Sequence, residues 1–146
     1  MRGLETFYLN VATVATDPQA MIIAARENAS TQKGLGELQL ILQKLLMNNN
    51  IQKSTNLGNK VQEAIVSHLS SKYKGTKDLG IKHAPLYVLI GAEMPAILVE
   101  TGFISNPLER KHLLWTSYQK DLAKGICSGI VSYLSGTTDG SHRSLR

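Results

Sequence analysis

An α/β fold, with a mixed sheet flanked by helices, is predicted for this 146-residue chain from two sequence patterns. The first is a pair of short, uninterrupted apolar runs, Leu86–Ile90 and Ala96–Val99, which are typical of strands covered on both faces. The second is a series of segments with apolar residues three and four positions apart, the period of an amphipathic helix. Because the pattern predicts few strands and the earliest, Leu4–Asn10, begins close to Met1, we expect the sheet to lack its first strands.

The first fifty residues predict one strand and two helices. The segment Leu4–Asn10 reads LETFYLN and has the β-branched and aromatic content of a strand. Asp17 is a predicted N-cap, and Pro18 follows at the first helical position, where a missing N–H costs nothing. That helix should continue to about residue 30, and a second is predicted over residues 37–47.

The remainder of the chain predicts three more helices around the two apolar strands. The first helix runs from a Ser54 cap through Leu69, and a polar loop over Lys74–Lys82 leads to the strands at 86–90 and 96–99. A short helix then begins at the cap pair Asn106-Pro107 and ends at about Leu114. The last helix covers Ser117–Leu134, and Gly136 ends it. Residues 1–135 are predicted to form one domain. The polar, basic residues 136–146 are predicted to be a disordered tail.

The composition indicates a globular protein and excludes several other classes. Hydrophobic residues make up 42% and charged residues 18% of the chain, and no apolar run reaches the roughly 18 residues that would span a bilayer. The net charge is +5, but the basic residues are scattered and aromatic residues are only 5%, so nucleic acid is not an expected partner. No export signal is recognised, since Glu5 and Asn10 interrupt the first apolar stretch. Cys127, the single cysteine, falls in an apolar helical pattern and is predicted to be buried.

Glu100 is the strongest candidate for a functional residue. It stands at the carboxyl end of an apolar strand, which is where ligands bind in open α/β sheets. A partly desolvated carboxyl group at such a position has a raised pKa and suits general-base chemistry. The alternative is a glutamate that caps a helix or forms an ion pair on a loop, and the residues alone leave both interpretations open.

Five segments, in this order along the chain, resemble a known enzyme family. They are GLETFYL at 3–9, AARENA at 24–29, KHAPLYVL at 82–89, MPAILVETGFISNP at 94–107 and YQKDLA at 118–123. The segment PAILVETGFISNP is highly specific. Together they resemble the zinc-dependent N-acetylmuramoyl-L-alanine amidases, over about residues 2–135.

The resemblance implies an α/β domain that hydrolyses the amide between N-acetylmuramic acid and L-alanine in peptidoglycan. In that family two histidines and a glutamate hold zinc, and a separate glutamate moves protons. Glu100 matches the proton-moving glutamate. Lys82 matches a basic position and is a candidate for substrate binding, with a solvated lysine as the alternative. Asn106 is better explained as a helix cap.

The resemblance also implies that this chain has no metal ligands of its own. The ligands of the family precede the segment that matches at Gly3. The four histidines here, at positions 68, 83, 112 and 142, do not form the closely spaced pairs of a replacement site. Zinc is therefore expected as the cofactor of the family but not as a ligand of these residues.

These observations predict a truncated amidase domain that is inactive alone. The expected partner is peptidoglycan, with an unidentified regulatory or completing partner possible, and the expected location is the periplasm or cell envelope. The alternative is a non-catalytic, peptidoglycan-binding or partner-dependent remnant of the same fold.

Overall fold

The computed structural model describes residues 3–9, 18–29 and 50–142, and these residues form three strands and four helices. Both the helix predicted over 37–47 and the Asp17 cap lie outside the described residues. The elements are β1 (Leu4–Leu9), α1 (Pro18–Ala29), α2 (Asn50–Ser70), β2 (Asp78–Ala84), β3 (Ile97–Glu100), α3 (Pro107–Leu113) and α4 (Thr116–His142).

The sheet is mixed, as predicted. Its strand order is β2-β1-β3, so β1 is central among the described strands. β1 pairs with β2 in parallel and with β3 in antiparallel orientation. The early chain therefore supplies the centre of the sheet, and later segments supply its two neighbours.

Two predictions around the sheet are wrong. The apolar run Leu86–Ile90 is not a strand but contains a 3₁₀ turn at Tyr87–Leu89. Leu86 and Ile90 are buried and Leu89 packs against the first hydrophobic cluster, while Val88 is exposed. Conversely, part of the predicted polar loop is β2, Asp78–Ala84. Most residues of this strand are exposed or half-buried, so it accommodates polar and charged side chains.

The helix limits agree with the sequence for α1 and α3 and differ for α2 and α4. Asn106 caps α3 as predicted, because its side-chain oxygen accepts hydrogen bonds from the backbone N–H groups of Leu108 and Glu109. Ser54 is not a cap, since α2 begins at Asn50 and the Ser54 hydroxyl instead accepts a bond from Ala96 N–H at 3.0 Å. Helix α4 continues past Gly136 to His142. The domain boundary at residue 135 stays a prediction.

Helices cover both faces of the sheet with separate hydrophobic clusters. The first cluster lies between the sheet and α1, and the second lies between the sheet, α2 and α4. Their buried members are Phe7, Ala20, Ile23, Ala24, Ala84 and Leu86 in the first, and Leu4, Val61, Ile65, Leu69, Tyr118 and Leu122 in the second. Alternate residues of β1 point into the two clusters, as the period of a strand requires.

A buried glutamine ties α2 to the sheet. The Gln62 amide nitrogen donates to the Leu4 carbonyl at 2.8 Å and to an Asp78 carboxylate oxygen at 2.6 Å. Its oxygen accepts from the Thr6 hydroxyl at 2.7 Å. All polar atoms of this buried amide therefore have partners, which avoids the cost of an unsatisfied group and fixes α2 over β1 and β2.

Two glycines allow α4 to pack closely on α2. A Cβ atom at Gly129 would lie 2.5 Å from the Val61 Cα atom, and one at Gly125 would lie 2.9 Å from the Ile65 Cα atom. The glycines are four residues apart and share one face of α4. Cys127 lies between them in sequence and therefore points elsewhere; it is exposed, and the prediction that it is buried is wrong.

We expect Gly129→Ala to destabilise the protein although alanine favours helices. Overpacking typically costs about 1–3 kcal/mol, which outweighs the gain of about 1 kcal/mol in helix propensity. Urea denaturation measures the difference in the free energy of unfolding. The matched control is Gly136→Ala, because nothing lies within 4 Å of that Cβ position; it should be neutral or stabilising. Equal stability of Gly129→Ala and the wild type would contradict the close approach of the helices.

An acidic residue of α4 anchors the end of α2. The Asp121 carboxylate lies 2.7 Å from Lys72 Nζ and 3.3 Å from His68 Nε2, and it accepts a hydrogen bond from the Tyr73 hydroxyl at 2.9 Å. The hydrogen bond from Lys72, followed by that from Tyr73, lowers the pKa of Asp121 to about 2. The ionised carboxylate therefore stabilises the folded state.

Asp121→Asn should lower the free energy of unfolding at pH 7. The pKa of Asp121 is about 2 in the folded state and about 3.9 in the unfolded state. The ionised carboxylate therefore makes its full contribution to the free energy of unfolding above the unfolded-state pKa. This contribution is lost as the pH falls towards the folded-state pKa. Urea denaturation from pH 7 to pH 2.5 should thus show the gap between variant and wild type closing below about pH 4. Glu63→Gln, at an exposed position of α2, controls for the loss of one negative charge. A gap that does not depend on pH would reject this explanation.

Candidate functional site

Glu100 is the last residue of β3 and is half-buried. In the antiparallel pairing of β1 with β3 it lies directly opposite Glu5. Side chains at opposed positions lie on the same face of a sheet, with Cβ atoms about 4.5–5.5 Å apart. The register therefore brings together two carboxyl groups that are far apart in sequence.

The neighbouring strand adds a cation to this face. Lys82 of β2 pairs with Phe7 in the register and extends towards Glu5, with its Nζ atom 2.9 Å from Glu5 Oε2. The Glu5 side chain is 0% exposed and that of Lys82 is 13% exposed. The contact is an ion pair without hydrogen-bond geometry, and neither Glu5 oxygen has a hydrogen-bond partner among the described residues.

The pKa of Glu100 is raised above its usual value of 4.5. Burial is the largest cause, because it disfavours the charged form, and the negative charges of Glu27 and Glu5 add to it. Glu27 belongs to α1, so two elements besides β3 act on this carboxyl group. A glutamate in these surroundings holds its proton more tightly than one in water.

A second glutamate organises the loop that follows Glu100. The Glu109 carboxylate accepts a hydrogen bond from Phe103 N–H and one from the Asn106 side-chain amide, each at 2.7 Å. Gly102 within this loop has a φ of 144°, which a residue with a side chain rarely adopts. Sequence reasoning missed Glu109, although its position three residues after the Asn106 cap is the spacing of a capping box.

The small cavity beside this loop does not have room for a substrate. It has a volume of about 30 Å³ and is lined in part by Thr101, Gly102, His112 and Tyr118. A volume of this order accommodates about one water molecule.

The described residues do not fit a zinc site. Among them, no group of three or more His, Cys, Asp or Glu side chains is placed to hold a metal ion. His142 lies at the end of α4. The other three histidines contact different groups: His68 contacts Asp121, His83 lies near the Tyr8 ring and His112 stacks on Tyr118.

Fold and sequence comparisons agree on one class of protein. The sequence matches the family described as N-acetylmuramoyl-L-alanine amidase over residues 1–132. The chain therefore belongs to the N-acetylmuramoyl-L-alanine amidase family, an enzyme family that acts on peptidoglycan.

Individual relatives support the assignment. The chain is 29% identical to the N-acetylmuramoyl-L-alanine amidase AmiC of Neisseria meningitidis over 139 residues, which cover 92% of this chain and 32% of that protein. It is 36% identical over 80 residues to LytC of Bacillus subtilis, covering 55% of this chain and 15% of that protein. An amidase of Clostridium difficile 630 superimposes with a TM-score of 0.56 and 26% identity, covering 92% of this chain and 50% of the solved one. The chain thus spans half or less of each of these relatives.

Proposed function

We propose that this chain supplies the proton-transferring part of an N-acetylmuramoyl-L-alanine amidase active site. The bond cleaved is the amide between the lactyl group of N-acetylmuramic acid and L-alanine. The observation that carries the proposal is Glu100, at the end of β3 in the family segment PAILVETGFISNP, with burial and two further carboxylates raising its pKa.

Glu100 is proposed to move protons during hydrolysis. In its ionised form it takes a proton from the water that attacks the amide carbonyl carbon. It then gives that proton to the departing nitrogen of L-alanine, which leaves as an amine. A raised pKa brings the group closer to the operating pH, and that makes both transfers more favourable.

Zinc dependence is proposed from the family resemblance alone. Because the described residues offer no set of ligands, no step is assigned to a metal here. We propose that residues 1–146 by themselves are inactive and require further protein to hold zinc. Lys82 remains a proposed substrate contact; its charge is directed at Glu5, and its side chain is 13% exposed.

The proposed location is the cell envelope, where peptidoglycan, the proposed partner, lies. Among the described residues, no helix is both long and apolar enough to cross a bilayer. One relative of the same fold, CwlD of Clostridioides difficile, was solved in complex with the GerS lipoprotein. A completing or regulatory protein partner is accordingly part of this proposal.

The second candidate is a non-catalytic module that binds peptidoglycan. It is consistent with the described residues, among which no group of side chains is placed to hold a metal ion. In that case Glu100→Ala would leave the binding of insoluble peptidoglycan unchanged, and no peptide would be released.

The test compares two proteins on purified peptidoglycan. One is the protein isolated at its natural length from its source cells, and the other is the 146-residue chain, each assayed with and without added zinc. Mass spectrometry detects released peptides that begin with a free L-alanine amine. Release by the natural-length protein alone is expected. Release by the 146-residue chain with zinc would overturn the proposed inactivity, and binding without release by both would favour the second candidate.

A further inference from the structure

A buried carboxylate beside a second carboxyl group normally costs stability, and this protein contains such a pair. Glu5 and Glu100 are directly opposed in the pairing of β1 with β3. Like charges at opposed positions of a sheet repel each other. The Glu5 side chain is 0% exposed, so it cannot turn into solvent to relieve the repulsion.

Lys82 explains why the Glu5 carboxylate is stable at this position. Its Nζ atom lies 2.9 Å from Glu5 Oε2, and its side chain is itself largely buried. A paired cation compensates a buried anion, which would otherwise take up a proton. The ion pair therefore keeps a negative charge at a fixed place beside Glu100.

We propose that Glu5, held by Lys82, is a positioning residue that sets how strongly Glu100 retains its proton. Within residues 3–9, 18–29 and 50–142, the charged groups placed to act on Glu100 from this side of the sheet are Glu5 of β1, Lys82 of β2 and Glu27 of α1. Of these, Glu5 is fixed by the strand register. This inference deepens the proposed function, because it concerns the residue that moves the proton.

The test is a carbon-13 NMR titration of the glutamate carboxyl groups, with the Glu100 signal identified by its loss in Glu100→Gln. In Glu5→Gln the titration midpoint of Glu100 should fall. It should still lie above 4.5, because burial contributes more than the neighbouring charges. In Lys82→Met the midpoint should also fall, but by less than in Glu5→Gln, because a buried carboxylate left without its cation takes up a proton and no longer carries the charge. The matched control, Glu63→Gln, removes an exposed glutamate of α2 and should leave the midpoint unchanged.

Both substitutions remove the negative charge beside Glu100, so either one decides the matter if the other variant does not fold. A merely structural role for Glu5 would leave the midpoint of Glu100 unchanged in both variants. An unchanged or raised midpoint in either variant would overturn the inference. The titration needs no substrate and no metal, so a failure of the proposed amidase activity is detected separately in the peptide-release assay.

Discussion

Replacing Glu100 with glutamine should reduce peptide release by the natural-length protein by about 10²- to 10⁴-fold, the usual contribution of a general acid–base group. Glutamine preserves the shape of the side chain but cannot accept the proton of the attacking water. The expected loss is in kcat, because the proton moves only in the reacting complex. Mass spectrometry of the released peptides measures the rate. The matched control is Glu93→Gln, an exposed residue of the loop before β3, which should keep its activity.

The pH dependence of the hydrolysis rate is a second, independent test of the role of Glu100. The wild-type rate should fall as the pH decreases through the raised pKa of Glu100, because the base form is then lost. An acid whose folded pKa is raised destabilises the fold when it ionises. Glu100→Gln should consequently be as stable as the wild type, or more so, at pH 7. A variant that retains a tenth of the wild-type rate, or that unfolds, would contradict the assignment of Glu100 to chemistry.

Lys82→Met should lower the free energy of unfolding by about 3–5 kcal/mol, the cost of leaving a buried charge without its partner. Glu5 is the group left behind, and at 0% exposure it has no solvent to replace the ammonium group. Adding Glu5→Gln to this variant should recover most of the loss, because the uncompensated charge disappears. Urea denaturation of the wild type, the two single variants and the double variant completes a double-mutant cycle.

The control for this cycle is Lys120→Met, at an exposed position of α4, which should change the stability by no more than about 0.5 kcal/mol. If the double variant loses as much as the two single variants together, the ion pair contributes nothing measurable. The contact of 2.9 Å would then have no energetic consequence.

Local signals explain which parts of the structure could be predicted. The strand that ends at Glu100 and the helix capped by Asn106 depend on neighbouring residues, and both are present. The family segments indicated the α/β class because they are specific sequences. Strand β2 was missed because its residues are mostly exposed or half-buried and lack a continuous apolar run. The run Leu86–Ile90 was misassigned because a short apolar run also suits a turn that packs on the core.

The site could be predicted only in part. Glu100 stands out in the sequence because it follows an apolar strand. Glu5 does not, since a glutamate in a strand near the beginning of the chain carries no signal of burial. Its role depends on a register that joins it to Glu100 and on a lysine from a third strand. The residues next to Glu5 and Glu100 in sequence do not indicate this register, so the ion pair is visible only in the structure.

The central place of β1 has a consequence for how the protein folds. Leu4 pairs with Asp78 and Tyr8 pairs with Ile97, so this strand closes long loops on both of its edges. Such non-local pairing slows folding, because the entropy of loop closure is lost before the contacts form. During synthesis β1 emerges before both of its described neighbours, and these are complete only when residues 78–100 have left the ribosome. The helices are therefore expected to form early, and completion of the sheet is expected to limit the folding rate.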